Sequence, residues 1–143
     1  MLLGEYEHTI DEKNRLTLPA KFRRAFVDGI LLTRGTDGCI DAYTRDEWAR
    51  QVHDPLAARD ALSKDTRRLR RFLYSGAVEA EIDRQGRVMI PARLIEYAKL
   101  GREVVVAGVH DHLEIWDRAV WRDELAEVEG GAEGAAERLA QRD

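Results

Sequence analysis

The chain carries one motif twice, and that duplication constrains its fold more than any other feature. Asp11, Arg15, Pro19 and Ala20 recur as Asp83, Arg87, Pro91 and Ala92 at an offset of 72. Between them Leu16 and Leu18 are matched by Val88 and Ile90, and Lys21 by Arg93. The match resumes at an offset of 73, pairing Gly35 with Gly108, Ile40 with Leu113, Asp41 with Glu114, Tyr43 with Trp116 and Trp48 with Trp121. One inserted residue in the second copy explains the step. Repeats of this kind signal one supersecondary unit used more than once, here a unit of about 45 residues.

Each copy predicts the same elements. Thr9-Ile10 and Glu81-Ile82 end short strands. The polar turns that follow finish at Asn14 and Gly86, residue types that tolerate positive φ. Each turn is thus a tight hairpin tip just before Arg15 or Arg87. Leu16–Leu18 and Val88–Ile90 are then strands, and Pro19 and Pro91 start helices over 20–26 and 92–100. Further hairpins join 30–33 to 39–43 and 104–107 to 112–116, and short helices over 46–52 or 118–128 end each unit. Leu62, Thr66, Leu69, Phe72 and Leu73 form a helical stripe that predicts a connecting helix over 56–75. The Ala/Glu-rich tail with Gly130-Gly131 is expected to be frayed or weakly helical. Neither copy has enough apolar residues for a core of its own, so the two should interleave their hairpins into one closed barrel without exposed edges.

The boundaries that follow are a first unit over 5–48, a helical connector over 49–76, a second unit over 77–121 and an acidic tail over 122–143. Both units are expected to form one compact domain of α+β class, mostly β.

The formal net charge is −4, which by itself argues against a polyanionic partner. Its distribution argues otherwise, because local potential governs contact with phosphates. Residues 122–143 hold seven acids and three arginines, which leaves residues 1–121 neutral. Lys13, Arg15, Lys21, Arg23 and Arg24 share residues 13–24 with no acid. A second basic run, 64–71, holds Lys64, Arg67, Arg68, Arg70 and Arg71 against Asp65. That run is read as a solvated or subunit-facing helix surface.

Gly4-x-Tyr6-x-His8-Thr9-x-Asp11-x-Lys13-x-Arg15-Leu16-x-Leu18-Pro19-Ala20-Lys21-Phe22-Arg23, with Asp83-x-x-Gly86-Arg87-Val88-x-Ile90-Pro91 downstream, resembles the MraZ family, within the wider group of AbrB- and SpoVT-like DNA-binding units. The resemblance covers residues 1–125. Asn14 stands where the family usually has glycine. The resemblance implies a swapped-hairpin double-split β-barrel of two tandem βαββ-type units with short flanking helices, assembled into a homo-oligomeric ring. It also implies binding to tandem direct repeats in double-stranded promoter DNA ahead of a division and cell-wall gene cluster, including the protein's own promoter.

A two-stranded ribbon fits the major groove, where arginine bidentate to guanine is the commonest specific contact. Arg15 and Arg87 are therefore the candidate base readers, with Asn14 and Gln85 able to reach adenine edges. Lys13 and Arg84 suit phosphates or bases. Lys21, Arg23 and Arg24 suit the backbone. The competing reading of each arginine is an ion pair with the aspartate four residues earlier, and both readings can hold in part. Asp11 and Asp83 themselves read as structural turn residues.

No nucleophile elbow, phosphate loop or dinucleotide fingerprint appears, so an enzyme is not expected. Cys39 is the single cysteine, which excludes an intrachain disulfide and a cysteine-based zinc site and suits a small buried thiol. His110, Asp111 and His112 read as a solvated turn rather than a metal cluster, and neither metal nor cofactor is expected. The apolar run Val104–Ala107 is too short to cross a membrane, and the expected location is the cytoplasm, at the nucleoid. The rival to DNA reading is an oligomeric scaffold that acts on protein partners, with the acidic tail as its docking element.

Overall fold

The computed structural model describes residues 1–142; the last residue of the predicted tail, Asp143, lies outside the described residues. The chain runs β1 (Leu2–Thr9), β2 (Arg15–Thr17), α1 (Ala20–Arg23) with a 3-10 turn over Arg24–Phe26, then β3 (Ile30–Arg34) and β4 (Ile40–Tyr43). Next come α2 (Arg45–Trp48), a π turn over Ala49–His53, α3 (Asp54–Ala57) and α4 (Lys64–Ser75). The second half holds β5 (Val78–Ala80), β6 (Arg87–Met89), α5 (Ala92–Ala98), β7 (Glu103–His110), β8 (Leu113–Asp117) and α6 (Arg118–Arg142).

The two halves trade strands. β1 of the first half pairs along its whole length with β7 of the second, and β5 pairs with β3. The large sheet has the antiparallel order β1-β7-β8-β4-β3-β5, and β2 and β6 form a separate two-stranded ribbon. Both orders map onto themselves when the halves are exchanged, so the duplication becomes a pseudo-two-fold axis between β4 and β8. The interleaving expected from the repeat is present. The barrel closure is not: the six-stranded ladder is open and ends on β1 and β5.

Burial of one shared core drives this exchange. Leu16, Leu18, Phe22, Phe26, Ile30, Leu32 and Ile40 pack with Val88, Ile90, Val104, Val106, Leu113 and Ile115, all essentially inaccessible to water. At ~25 cal/mol per Å2 of apolar surface removed from water, a core drawn from both halves favours the exchanged arrangement over two separate units. A smaller cluster, Leu31, Tyr43 and Val52 with Trp48, Leu73 and Tyr74, covers the far face of β3 and β4. The buried Thr33 hydroxyl donates to Leu73 O there at 2.6 Å and ties α4 to the sheet.

Several boundaries differ from the sequence reading for local reasons. The single helix over 56–75 is two. Asp60 accepts from the Leu62 amide and Ser63 caps α4 through the Thr66 amide, so the chain turns first and Leu62 stays 86% exposed. The second helix stops at Ala98 because Lys99 takes the left-handed conformation, φ 54. Leu31 faces Tyr43 as Val105 faces Trp116, so Arg34, not Gly35, is the structural counterpart of Gly108.

The largest difference is the tail. Residues 118–142 are one continuous helix, and helix outweighs strand in the chain, so the expectation of a mostly β protein fails. Asp117 caps the helix through the Ala119 and Val120 amides at 3.2 and 3.3 Å, and an aspartate N-cap contributes about 1 kcal/mol. Arg118 then clips the first turn to Glu7 of β1 and Glu103 of β7. Beyond that the Ala, Glu and Leu content carries the helix through Gly130 and Gly131, against roughly 1 kcal/mol per glycine. No described helix is long and apolar enough to cross a membrane.

Gly108 lies where β1 crosses it most closely: an added Cβ would sit 2.6 Å from the Leu2 carbonyl carbon and the Leu3 nitrogen. Gly108→Ala is expected to lower stability by about 1–3 kcal/mol as β1 is pushed off. Gly131→Ala, with nothing within 4 Å, is expected to raise it by roughly 0.5–1 kcal/mol. Chemical denaturation of the two variants checks both signs.

Candidate nucleic-acid interface

The two copies of the Asp-x-x-x-Arg motif build the same turn. In the first, the Asp11 amide donates to Arg15 O and the Asn14 amide to Asp11 O, each at 3.0 Å. The Asp11 carboxylate folds over the turn. Oδ1 accepts the Lys13 and Arg15 amides at 2.9 Å, and Oδ2 accepts Arg15 Nε at 2.7 Å. In the second, Asp83 Oδ1 accepts the Gln85 and Arg87 amides at 2.9 Å and Oδ2 accepts Arg87 Nε at 2.8 Å. Asn14 and Gly86 hold the left-handed position, φ 60 and 78. Asparagine tolerates it through its short polar side chain, glycine through the missing Cβ.

The two turns are locked to each other. Ile90 N donates to Asn14 O at 2.8 Å and Leu18 N to Gly86 O at 2.9 Å. Between these bonds β2 and β6 pair Arg15 with Met89, Leu16 with Val88 and Thr17 with Arg87. Leu16 and Val88 are fully buried. Strand alternation then sends Arg15, Thr17, Arg87 and Met89 to the opposite, outer face. Both guanidiniums therefore lie diagonally on one small ribbon, with side chains 28 and 29% exposed. Each donates to its aspartate through Nε alone, and the Nη groups have no partner among the described residues.

The ion-pair reading holds at both arginines, and the donors left over on each guanidinium are without a partner among the described residues. At Asp11 the Arg15 amide, then the Arg15 guanidinium and the Lys13 amide, outweigh desolvation and hold the carboxyl below its ordinary value. The Arg87 amide leads the same effect at Asp83.

The remaining candidates fall into groups. Lys13 projects from the first turn, Arg84 and Gln85 from the second, all exposed. Arg23 is half-buried: its Nε donates to Leu18 O at 3.0 Å, and its guanidinium occupies the space beside Gly86, where a Cβ would come within 2.3 Å of Nε. It braces the second turn against the first half. Lys21 and Arg24 are exposed on α1 and the 3-10 turn that continues it, off the ribbon. Arg67, Arg68 and Arg71 lie on the exposed side of α4.

Sequence reasoning missed two ribbon residues, Thr17 and Met89. Met89 is 61% exposed, and alternation about the buried Val88 was the signal for it. It also missed Arg102, which with Asn14, Asp11 and Leu100 lines a cleft of about 320 Å3 beside the first turn. The turn at 110–112 is not solvated throughout. The His112 side chain is 17% exposed, stacked on Tyr43 at 4.8 Å and bonded to Asp111 at 2.6 Å. Cys39 is buried, as expected.

Acidification provides a test of the turns. Both aspartates should stay ionised below the ordinary 3.8. Because the folded values are lowered, their stabilisation is complete above the unfolded value and is lost as pH falls through the folded one. Carboxyl 13C titration of Asp11 and Asp83 should give two midpoints below 3.8, and midpoints at that ordinary value would contradict the turn geometry.

Comparison with known proteins agrees with the duplicated architecture. The sequence profile of the family described as "MraZ protein" matches twice, over residues 1–72 and 73–143. The "Transcriptional regulator MraZ" of Roseiflexus castenholzii (strain DSM 13941 / HLO8) is 45% identical over 145 aligned positions, covering 99% of this chain and 98% of that protein. The protein of the same name from Roseiflexus sp. (strain RS-1) is 44% identical with the same coverage. With both halves matched and nearly every residue aligned, the chain belongs to the MraZ family.

Proposed function

We propose that this chain is a sequence-specific double-stranded DNA-binding transcriptional regulator that reads base edges with Arg15 and Arg87. The observation that carries the reading is the β2–β6 ribbon, which holds two guanidiniums diagonally on one face, their Nη donors without a partner among the described residues and their Nε atoms fixed. A guanidinium held by a carboxylate keeps its fork direction before DNA arrives, so less rotamer entropy is lost on binding. Lys13, Asn14, Arg84 and Gln85 flank the forks on the exposed turns, in reach of phosphates or neighbouring bases. Lys21 and Arg24 supply charge at the rim, and Arg23 contributes chiefly by holding the second turn in place.

A role in transcription is supported by the relatives, which are named transcriptional regulators. The finer reading is repression of the chain's own division and cell-wall cluster through tandem direct repeats, from the cytoplasm at the nucleoid. One ribbon reads few base pairs. A homo-oligomeric ring would present the ribbon repeatedly, and each further contact on the same duplex becomes intramolecular and gains by effective concentration. Tandem repeats are the operator such a ring would suit.

The test is fluorescence anisotropy on a duplex from the chain's own upstream region, with a scrambled duplex beside it. Arg15→Ala and Arg87→Ala should each reduce discrimination by about 1–3 kcal/mol, roughly 5- to 150-fold, at unchanged oligomer size. Lys21→Ala should weaken both duplexes alike and lower the salt slope by about one. An Arg15→Ala/Arg87→Ala double variant that binds the operator as tightly as wild type would refute the base-reading role. No shift for wild type at low salt would favour the protein-scaffold reading, with α6 as the docking element.

A further inference from the structure

The joint between the halves holds a second cluster of chemistry-bearing side chains, on the sheet face away from the apolar core. Cys39 and Asp41 come from the end of the first hairpin and His112 and Glu114 from the end of the second; Asp41 and Glu114 face each other where β4 pairs with β8. By the repeat offset of 73, Cys39 corresponds to His112 and Asp41 to Glu114. The cluster therefore straddles the pseudo-two-fold axis, two donors from each half.

Three donor atoms converge, and a fourth lies beside two of them. One ligand atom each from Cys39, Asp41 and Glu114 lies within 4.8 Å of the others. Cys39 Sγ is 3.5 Å from Asp41 Oδ1, and His112 Nε2 is 3.7 Å from both Asp41 Oδ1 and Glu114 Oε2. Donors around a tetrahedral zinc ion, at bond lengths of about 2.0–2.3 Å, stand roughly 3.3–3.7 Å apart. Gly35 keeps the approach open: a Cβ there would lie 2.7 Å from Cys39 Sγ and 2.8 Å from Asp41 Oδ1. Asp41 also lines a groove of about 240 Å3 with Thr36, Tyr43 and Arg59.

The surrounding bonds are those a metal site uses to orient its ligands. His112 turns Nδ1 to Asp111 at 2.6 Å and leaves Nε2 on the carboxylates, and Trp116 Nε1 donates to Glu114 Oε1 at 3.1 Å. Such outer bonds fix the imidazole tautomer and carboxylate rotation around an ion. Charge points the same way. Asp41, Glu114 and Asp111 surround one imidazole, with Asp37 adding to the field at Asp41 and Cys39. An excess of half-buried negative charge is costly unless a cation offsets it.

We propose that Cys39, Asp41, Glu114 and His112 form a zinc-class divalent cation site that staples the two halves at β4 and β8. Binding would displace the thiol proton and the Nε2 proton of His112 to solvent, leaving thiolate, neutral imidazole and two carboxylates as ligands. The single cysteine led to the expectation of no cysteine-based zinc site; the proposal asks for one thiolate only, with two carboxylates and an imidazole as the other three donors. The site lies apart from the β2–β6 ribbon, so its existence does not depend on the DNA-reading proposal.

The probe is Co2+ added to untagged, chelator-treated full-length protein near pH 7.5, with Zn2+ in competition. Thiolate coordination gives an intense near-ultraviolet charge-transfer band and tetrahedral geometry gives visible d–d bands. Both should saturate at one ion per chain and be displaced by Zn2+. Zn2+ at saturation should raise Tm by about 5 °C or more. Cys39→Ser should abolish the charge-transfer band, and Glu114→Gln, which keeps shape and folding, should weaken Co2+ binding at least tenfold. Wild type that shows neither band nor a Tm shift in excess metal would overturn the proposal and leave His112 as a plain counter-ion to the two carboxylates. So would equal Co2+ affinity in Glu114→Gln.

Discussion

Everything at the candidate DNA face depends on the pairing of Leu16 with Val88 in the β2–β6 ribbon. Both side chains are wholly buried, so the ribbon cannot slip by one residue without moving an arginine into the core and an aliphatic into water. That single register puts Arg15 and Arg87 outward and brings two turns, 72 residues apart in the chain, into one surface. The flanking bonds from Ile90 N to Asn14 O and from Leu18 N to Gly86 O carry the same constraint into the turns.

The aspartate of each motif fixes the direction of its arginine. A lone surface ion pair contributes little to stability, and here that is not its main effect. Two backbone amides on one carboxylate shape the turn, and the Nε contact aims the guanidinium while its other donors have no partner among the described residues. Arg23 shows how the copies have diverged. It braces Gly86 from the first half, whereas the equivalent position of the second half is Ile95, packed against the core. The two turns are alike in backbone and differ in what supports them.

Charge is partitioned by the fold as well as by the sequence. The acids of the tail sit on a helix anchored through Asp117 and Arg118, and the basic ribbon is formed by the other small sheet. The negative excess of the whole chain therefore says little about the potential at the ribbon. A second charged cluster lies where β4 pairs with β8, beside the apolar patch of Leu31, Tyr43 and Val52.

The sequence alone determined the duplication, the core positions of the motif, the turn residues at Asn14 and Gly86, and the candidates Arg15 and Arg87, because each follows from local spacing and backbone preference. It could not decide which strand pairs with which. Pairing is chosen by the shared burial of residues far apart in the chain, and that choice produced the exchanged β1 and β5 and the open sheet. The long α6 was underestimated because two glycines suggested a break, while the cap at Asp117 and the propensity of the residues around them prevail. His112 and Cys39 looked unrelated for the same reason as the strands: only the antiparallel join of β4 and β8 brings them around the same carboxylates.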